Sequence, residues 1–315
     1  MNSLIKENIM RYNRNPELSP AFQAQLDHLI ETGFINNNIT HSTQAIVNDL
    51  KAYSEQSGIS TVIMGISGGI DSALTAALFK KAGYFVTGVL LPIHQNESET
   101  ARGREVCTRL GIQCLEKDLT HAYTDMIFYL RRDVDTLIKQ DDRASAMRRG
   151  NIRARLRMMT LYNLASLHQG FVASTDNFSE LAAGFWTLHG DVGDVAPIQS
   201  LTKSWEVPAM AEFLGVPHSV IEAVPTDGLG ITDSDEASFG FSYLEFDIVL
   251  LSMMYDDVEK LTTTAQDAQI VDTVRDKIHS TGFKRANPVN LTHPQFPDRF
   301  LRLDVIDKNI RQGYS

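Results

Sequence analysis

Cysteine is nearly absent from this chain: Cys107 and Cys114 are the only two in 315 residues. Their spacing fits neither a C-x-x-C redox pair nor a zinc site, and so few thiols exclude a disulfide framework. Long apolar runs are missing as well. The longest, around Ile248 to Tyr255, is too short to cross a bilayer. The N-terminal MNSLIKENIMRYNRN lacks the apolar core of a signal peptide. Positive charge is the scarcer sign, with 29 Lys and Arg against 39 Asp and Glu and a formal charge of −10. That balance argues against broad nucleic-acid binding. The reading is a cytoplasmic protein with no membrane and no nucleic-acid partner. Hydrophobic content of 43% suffices for a sizeable core.

What is present centres on Thr61 to Ala73, TVIMGISGGIDSA. Thr61 to Ile66 is a short apolar run, β-branched at Val62 and Ile66, and predicts a buried strand. Ser67-Gly68-Gly69 breaks the run, and from Asp71 onward Ala, Leu and Phe recur at helical spacing. A strand turning on glycines into a helix aims backbone N–H groups and the positive helix end at one point, which suits a phosphate. Ser67 and Ser72 add hydroxyl donors, and Asp71 brings a carboxylate able to hold Mg²⁺. The plainer reading is a glycine turn with Asp71 as a helix cap. The full string Ser-Gly-Gly-Ile-Asp-Ser is more specific than that. It lacks the Gly-Lys-Ser/Thr ending of a Walker loop and the G-x-G-x-x-G of a dinucleotide fold, and it resembles the loop of the ATP pyrophosphatases.

Along the chain, residues 1–42 read as an N-terminal extension with a weak helical pattern at Phe22, Leu26, Leu29 and Ile30. Ser42 or Thr43 can cap a helix to about Ser57. Further strands are expected at Phe85–Leu91, Ile112–Leu115 and Phe171–Ala173. Helices are expected at Ser98–Leu110, Gly150–His168, Lys203–Leu214 and Tyr243–Tyr255. The segment from Pro225 to Ser238 reads as a mobile loop. Strands alternating with helices predict an α/β fold, a doubly wound parallel sheet with helices on both faces. Its ligand would sit at the carboxyl ends of the strands, beside the glycine loop.

Four more strings carry chemistry. In Gly150-Asn-Ile-Arg-Ala-Arg-Leu-Arg-Met158, Arg153 and Arg157 share a helix side and Arg155 points elsewhere. These are a solvated basic face or guanidinium groups for an anionic substrate. Ser174-Thr-Asp-Asn-Phe-Ser-Glu180 follows a strand, and Glu180 is a second metal ligand beside Asp71 or a first-turn helix acid. Gly190-Asp191 to Pro197 reads as paired tight turns, followed by Lys203, whose charge at a helix start a bound anion would explain. Phe283-Lys284-Arg285 is a short basic triplet.

Taken in order, these strings resemble the synthetase domain of the NAD synthetases. The match runs through Gly65–Ser72, Gly150–Met158, Ser174–Glu180, Gly190–Pro197, Pro225-Thr226, Ser234-Asp235-Glu236 with Gly240, and Lys284-Arg285. The resemblance implies the ATP pyrophosphatase type of fold (adenine nucleotide alpha hydrolase-like) over residues 43–290, with 291–315 as a C-terminal tail. It implies an ATP site of Gly65, Ser67, Gly68, Gly69, Asp71, Ser72, Thr175, Lys203 and Thr226. It implies Mg²⁺ on Asp71 and Glu180, deamido-NAD contacts from Arg155, Asp194 and Lys284, and a homodimer. The segment before the loop is too short for the glutaminase domain of some members, so free ammonia is the expected nitrogen source. Leu188 and Phe283 stand where ammonia-dependent members have Lys and His.

The implied reaction transfers AMP from ATP to a carboxylate, making its oxygen a good leaving group, and ammonia then displaces AMP. Deamido-NAD is the leading acceptor. Leu188 and Phe283 motivate an alternative with the same chemistry on another carboxylate such as nicotinate mononucleotide. A tRNA sulfur transferase using the same loop would need a reactive cysteine and a basic surface. An inactive nucleotide-binding homologue is a further possibility.

Overall fold

The computed structural model describes residues 2–134, 143–223, 236 and 240–286. Thr226, most of the 225–238 loop and the 291–315 tail lie outside the described residues.

Helices α1 (Asn2–Tyr12), α2 (Pro20–Glu31) and α3 (Ile39–Ser57) lead into β1 (Thr61–Gly65). The alternation then runs α4 (Ile70–Ala82), β2 (Phe85–Leu90), α5 (Glu97–Leu110) and β3 (Gln113–Glu116). Two helices, α6 (Thr120–Val134) and α7 (Arg143–Leu167), precede β4 (Phe171–Val172). After it come α8 (Phe178–Ala183), α9 (Glu206–Phe213), α10 (His218–Ile221), α11 (Tyr243–Tyr255), α12 (Ala265–Ser280) and α13 (Gly282–Arg285).

The four strands form one sheet in the order β3-β2-β1-β4. Every pairing is parallel, with Val62 between Val86 and Phe171. The chain winds outward from β1 through β2 to β3 and then crosses to the other side of β1. The carboxyl ends of β1 and β4 therefore flank the point where the winding reverses, the place where sheets of this kind bind ligands. Successive β1 side chains enter different cores. Val62 and Met64 join the larger cluster, and Ile63 joins a smaller one with Val89, Val172, Leu156 and Leu161. The α/β expectation, with helices on both faces, is borne out.

Helix α4 is buried along most of its length, from Ser72 to Phe79 and at Ala82, because it lies between the sheet and an outer layer of α3 and α9. Gly83 ends it in the left-handed region, at φ 93°, where a residue without Cβ is favoured. The larger core also takes in the N-terminal helices: Phe22, Leu26 and Leu29 have no exposed surface.

Three helix starts differ from the sequence reading. Helix α3 begins at Ile39 behind Asn38, and Thr43 is an interior residue whose hydroxyl donates to the Ile39 carbonyl at 2.7 Å. Helix α7 begins at Arg143 and passes through Gly150, since one glycine weakens a helix by only about 1 kcal/mol. Helix α9 begins at Glu206 rather than Lys203. The Glu206 carboxylate accepts from the backbone N–H and hydroxyl of Thr202, each at 2.9 Å, so residues 202–205 form a closed turn ahead of it. Among the described residues, no helix is long and apolar enough to cross a membrane.

Candidate active site

A cleft of about 310 Å³ opens at the carboxyl ends of β1 and β4. Its floor is the loop from Gly65 to Ser72. The Ser72 hydroxyl donates to the Gly69 carbonyl at 3.0 Å and accepts from the Ser67 N–H at 3.3 Å. The Ser67 hydroxyl accepts from the Gly69 N–H at 3.2 Å. These bonds close the loop on itself. Gly68 has φ 84°, and a Cβ there would lie 2.3 Å from the Glu99 carbonyl oxygen on α5. Only glycine lets the loop pass this close. Arg102 Nε donates to the Gly68 carbonyl at 3.3 Å, which brings a second α5 residue to the loop.

Opposite the loop stands Lys203, whose ammonium donates to Asp71 Oδ2 and lies 3.7 Å from Glu180 Oε1. All three side chains are largely buried, with 9% exposure for Lys203, 17% for Asp71 and 15% for Glu180. Asn177 Nδ2 donates to Asp71 Oδ1 at 2.9 Å. Asn177 also caps α8: its side chain accepts from the Glu180 N–H while Glu180 Oε2 accepts from the Asn177 N–H. Glu180 thus works as a helix acid through one oxygen and faces the lysine with the other. The first-turn helix-acid reading is borne out.

Behind the cleft, Asp247 of α11 is fully buried, accepts from the Ser179 hydroxyl and, at 2.9 Å, from the Ser204 N–H. Burial pushes its carboxyl up to about 6, against the lowering effect of those bonds. Ser179 Oγ in turn accepts from the Lys203 N–H at 3.0 Å. Asp176 is buried beside the cleft, and burial raises its carboxyl too, with Gln199 opposing the rise.

The carboxylates of Asp71 and Glu180 already share one cation, the lysine ammonium. Their oxygen donors suit Mg²⁺ equally well. No cluster of three or more His, Cys, Asp or Glu poised for a metal occurs among the described residues. A magnesium ion here would take its remaining ligands from phosphate and water, which is how Mg²⁺ is commonly held.

Every described member of the expected ATP set lines this cleft: Gly65, Ser67, Gly68, Gly69, Asp71, Ser72, Thr175 and Lys203, together with Glu180. The three residues expected to touch deamido-NAD do not line it. Arg155 is exposed and donates to the Leu188 carbonyl at 3.2 Å. Asp194 clamps β4, accepting from the Val172 N–H at 2.9 Å and from the Tyr162 hydroxyl at 2.8 Å. Lys284 donates to the carbonyls of Gly184 and Trp186, and burial lowers its ammonium from the ordinary lysine value.

Of the arginines the sequence offered as guanidinium groups for an anionic substrate, Arg157 lines the cleft. It donates to the Leu91 carbonyl at 3.0 Å, and burial lowers its guanidinium. Its signal was the helical stripe it shares with buried Leu161 and Ala165, whereas Arg155 lies on the side of exposed Met159. Cys107 is buried and Cys114 exposed. Burial pushes the Cys107 thiol up to about 12, which leaves it a poor thiolate for sulfur transfer.

Residues 42–288 match the family model described as NAD synthase. The chain belongs to the NAD synthase family. Its relatives include the NH(3)-dependent NAD(+) synthetase of Alkaliphilus metalliredigens, 33% identical over 243 residues, covering 76% of this chain and 95% of that protein. The same-named enzyme of Alkaliphilus oremlandii is 36% identical over 218 residues, covering 68% of this chain and 86% of its own. Among solved structures, the NMN synthetase of Francisella tularensis superposes with a TM-score of 0.68 at 26% identity, over 81% of this chain and 98% of that one. The NH3-dependent NAD synthetase of Campylobacter jejuni, solved with a nitrate ion, gives 0.65 at 26% identity, over 81% of this chain and all of that one. The NAD synthase match starts at residue 42, so α1 and α2 precede it.

Proposed function

We propose that this NAD synthase family member amidates deamido-NAD to NAD with ammonia, spending ATP and releasing AMP and pyrophosphate. The observation that carries the reading is the closed Ser67–Ser72 loop at the tip of β1, with Lys203 held against Asp71 and Glu180 across it. A carboxylate is a poor electrophile because its leaving group would be oxide. Attack of that carboxylate on the α-phosphorus of ATP makes the oxygen part of AMP, and pyrophosphate departs into the loop. Backbone N–H groups and the amino end of α4 meet the charge that develops there. Lys203 neutralises phosphate charge, and Arg157 and Arg102 supply guanidinium groups along the same wall. Asp71 and Glu180 would hold Mg²⁺, which when bound screens the triphosphate and stabilises the departing oxygen. Ammonia then displaces AMP, so no side-chain nucleophile is needed.

Arg155, Asp194 and Lys284 remain our acceptor-side residues, on the expectation that they act at an interface between two copies. Exposed apolar side chains on α6 and α7, among them Phe128, Tyr129, Met159 and Leu167, support a homodimer, since such apolar surface favours burial. The test is an acceptor screen scored by pyrophosphate. Release of AMP and pyrophosphate only with deamido-NAD and ammonia together supports the reading. ADP as the product overturns the mechanism, and faster turnover of nicotinate mononucleotide than of deamido-NAD overturns the acceptor.

A further inference from the structure

The turn that carries Lys203 is held from outside by residues remote in sequence. On one side its N–H groups are taken by Ser179 and Asp247, as described above. On the other, Asn13 at the end of α1 donates through Nδ2 to the Ser204 carbonyl at 2.8 Å. The buried indole of Trp205 donates to the Asn36 carbonyl at 2.8 Å and packs 6.2 Å from the Tyr12 ring. Arg14 then donates to the carbonyl of Ala223, itself a lining residue of the cleft, at 2.9 Å.

The backbone at that corner is unusual. Arg14 and Asn15 follow one another with φ of 59° and 52°. Asparagine tolerates the left-handed region; arginine adopts it at a cost of about 1 kcal/mol or more. A strained arginine persists where neighbouring structure holds it. Here the conformation delivers its guanidinium to the rim of the cleft. Asn13 carries a second bond, from the same Nδ2 to the Ile9 carbonyl at 2.7 Å, so its amide is oriented before it meets Ser204.

We propose that Asn13 and Arg14 are positioning residues for the nucleotide site: they fix the Lys203–Trp205 turn and the Ala223 rim from a segment that lies ahead of the family match. Two helices outside the family's span thereby set where the lysine stands relative to the phosphates. The proposal rests on Lys203 being an ATP-phosphate residue. Small errors in the placement of such a group are expensive, since about 1 Å of displacement can lower a rate a hundredfold.

The test is steady-state pyrophosphate release by the full chain with ATP, Mg²⁺, deamido-NAD and ammonia. Asn13→Ala and Arg14→Ala should each lower kcat by about tenfold with a smaller change in KM for ATP, and Arg14→Lys should recover most of the loss. Arg11→Ala, which removes the Glu212 ion pair, a bond to Asn8 and a guanidinium over the Tyr12 ring but no bond to the turn or the rim, should match the parent. The deciding readout is the pair Asn13→Ala with Lys203→Ala, measured in single turnover. If Asn13 acts through the lysine, adding Asn13→Ala to Lys203→Ala lowers the rate no further. Multiplying losses overturn the proposal, as do parental rates in both Asn13→Ala and Arg14→Ala while Lys203→Ala is inactive. Full activity in Lys203→Ala would instead strike at the reading of the site itself. Should Asn13→Ala fail to fold, Asn13→Asp, which keeps the side chain's shape and loses the donor to the Ser204 carbonyl, combined with Lys203→Ala carries the same comparison.

Discussion

Lys203 on the turn before α9 and Asp71 in the first turn of α4 are paired across the cleft, 132 residues apart in sequence. Their contact leaves Glu180 as a second carboxylate facing the same ammonium. Lys203→Ala should lower pyrophosphate release by at least about a hundredfold, the scale of losing one preorganised charge stabiliser. Asp71→Ala should do the same. Full-rate amide formation by Asp71→Ala would remove the basis of the proposed mechanism.

The same pair predicts a difference in metal response that does not depend on turnover. In the parent, Lys203 already neutralises Asp71 and Glu180, so Mg²⁺ without ATP should change Tm little. In Lys203→Ala the two carboxylates lose the cation they share, and Mg²⁺ should raise Tm by several degrees through binding to the folded state alone. Equal shifts in the two proteins would argue against a shared cation position.

Gly68→Ala is expected to disable the loop without unfolding the protein. Its Cβ would meet the Glu99 carbonyl oxygen at 2.3 Å in a left-handed backbone. A stability loss of about 2 kcal/mol should accompany a rise in KM for ATP of tenfold or more. Denaturant titration and ATP kinetics measure the two effects separately.

Asp247 makes stability depend on pH in a known direction. Its carboxyl sits at about 6 when folded, above the ordinary 3.8, chiefly because it is buried. The folded state therefore binds the proton more tightly. This residue's contribution is fully present below about pH 4 and is lost as pH rises through about 6, a change of up to about 3 kcal/mol. Asp247→Asn removes the titration. Stability of the parent relative to that variant should fall between pH 4 and 6 in denaturant titrations, and a flat difference would be the contrary result.

Much of this arrangement is written locally. The apolar run Thr61–Gly65, the two glycines after it and the apolar stretch that follows are neighbours in sequence, so strand, loop and helix could be placed from their order alone. Asn177 and Arg102 were harder to see because their roles arise from approach in space. Asn177 looks like a helix cap until Asp71 is beside it. Which guanidinium of α7 enters the cleft follows from the rotation of that helix: Arg157 shares a stripe with buried Leu161 and Ala165, and Arg155 lies on the side of exposed Met159. Leu188 offers its backbone carbonyl to Arg155, a contact that no side-chain pattern encodes. Residues 1–42 show no motif because their contribution consists of packing and of polar contacts made in space, such as Asn13 to Ser204, Arg14 to Ala223 and Gln25 to Ser252 and Asp256.

Placing Phe22, Leu26 and Leu29 in the same core as α4 and α11 has a practical outcome for anyone shortening the polypeptide. Cutting at the family's own starting point would strip away the cover over an oily strip, and the remainder should come out of the cell as sediment rather than as a smaller working enzyme.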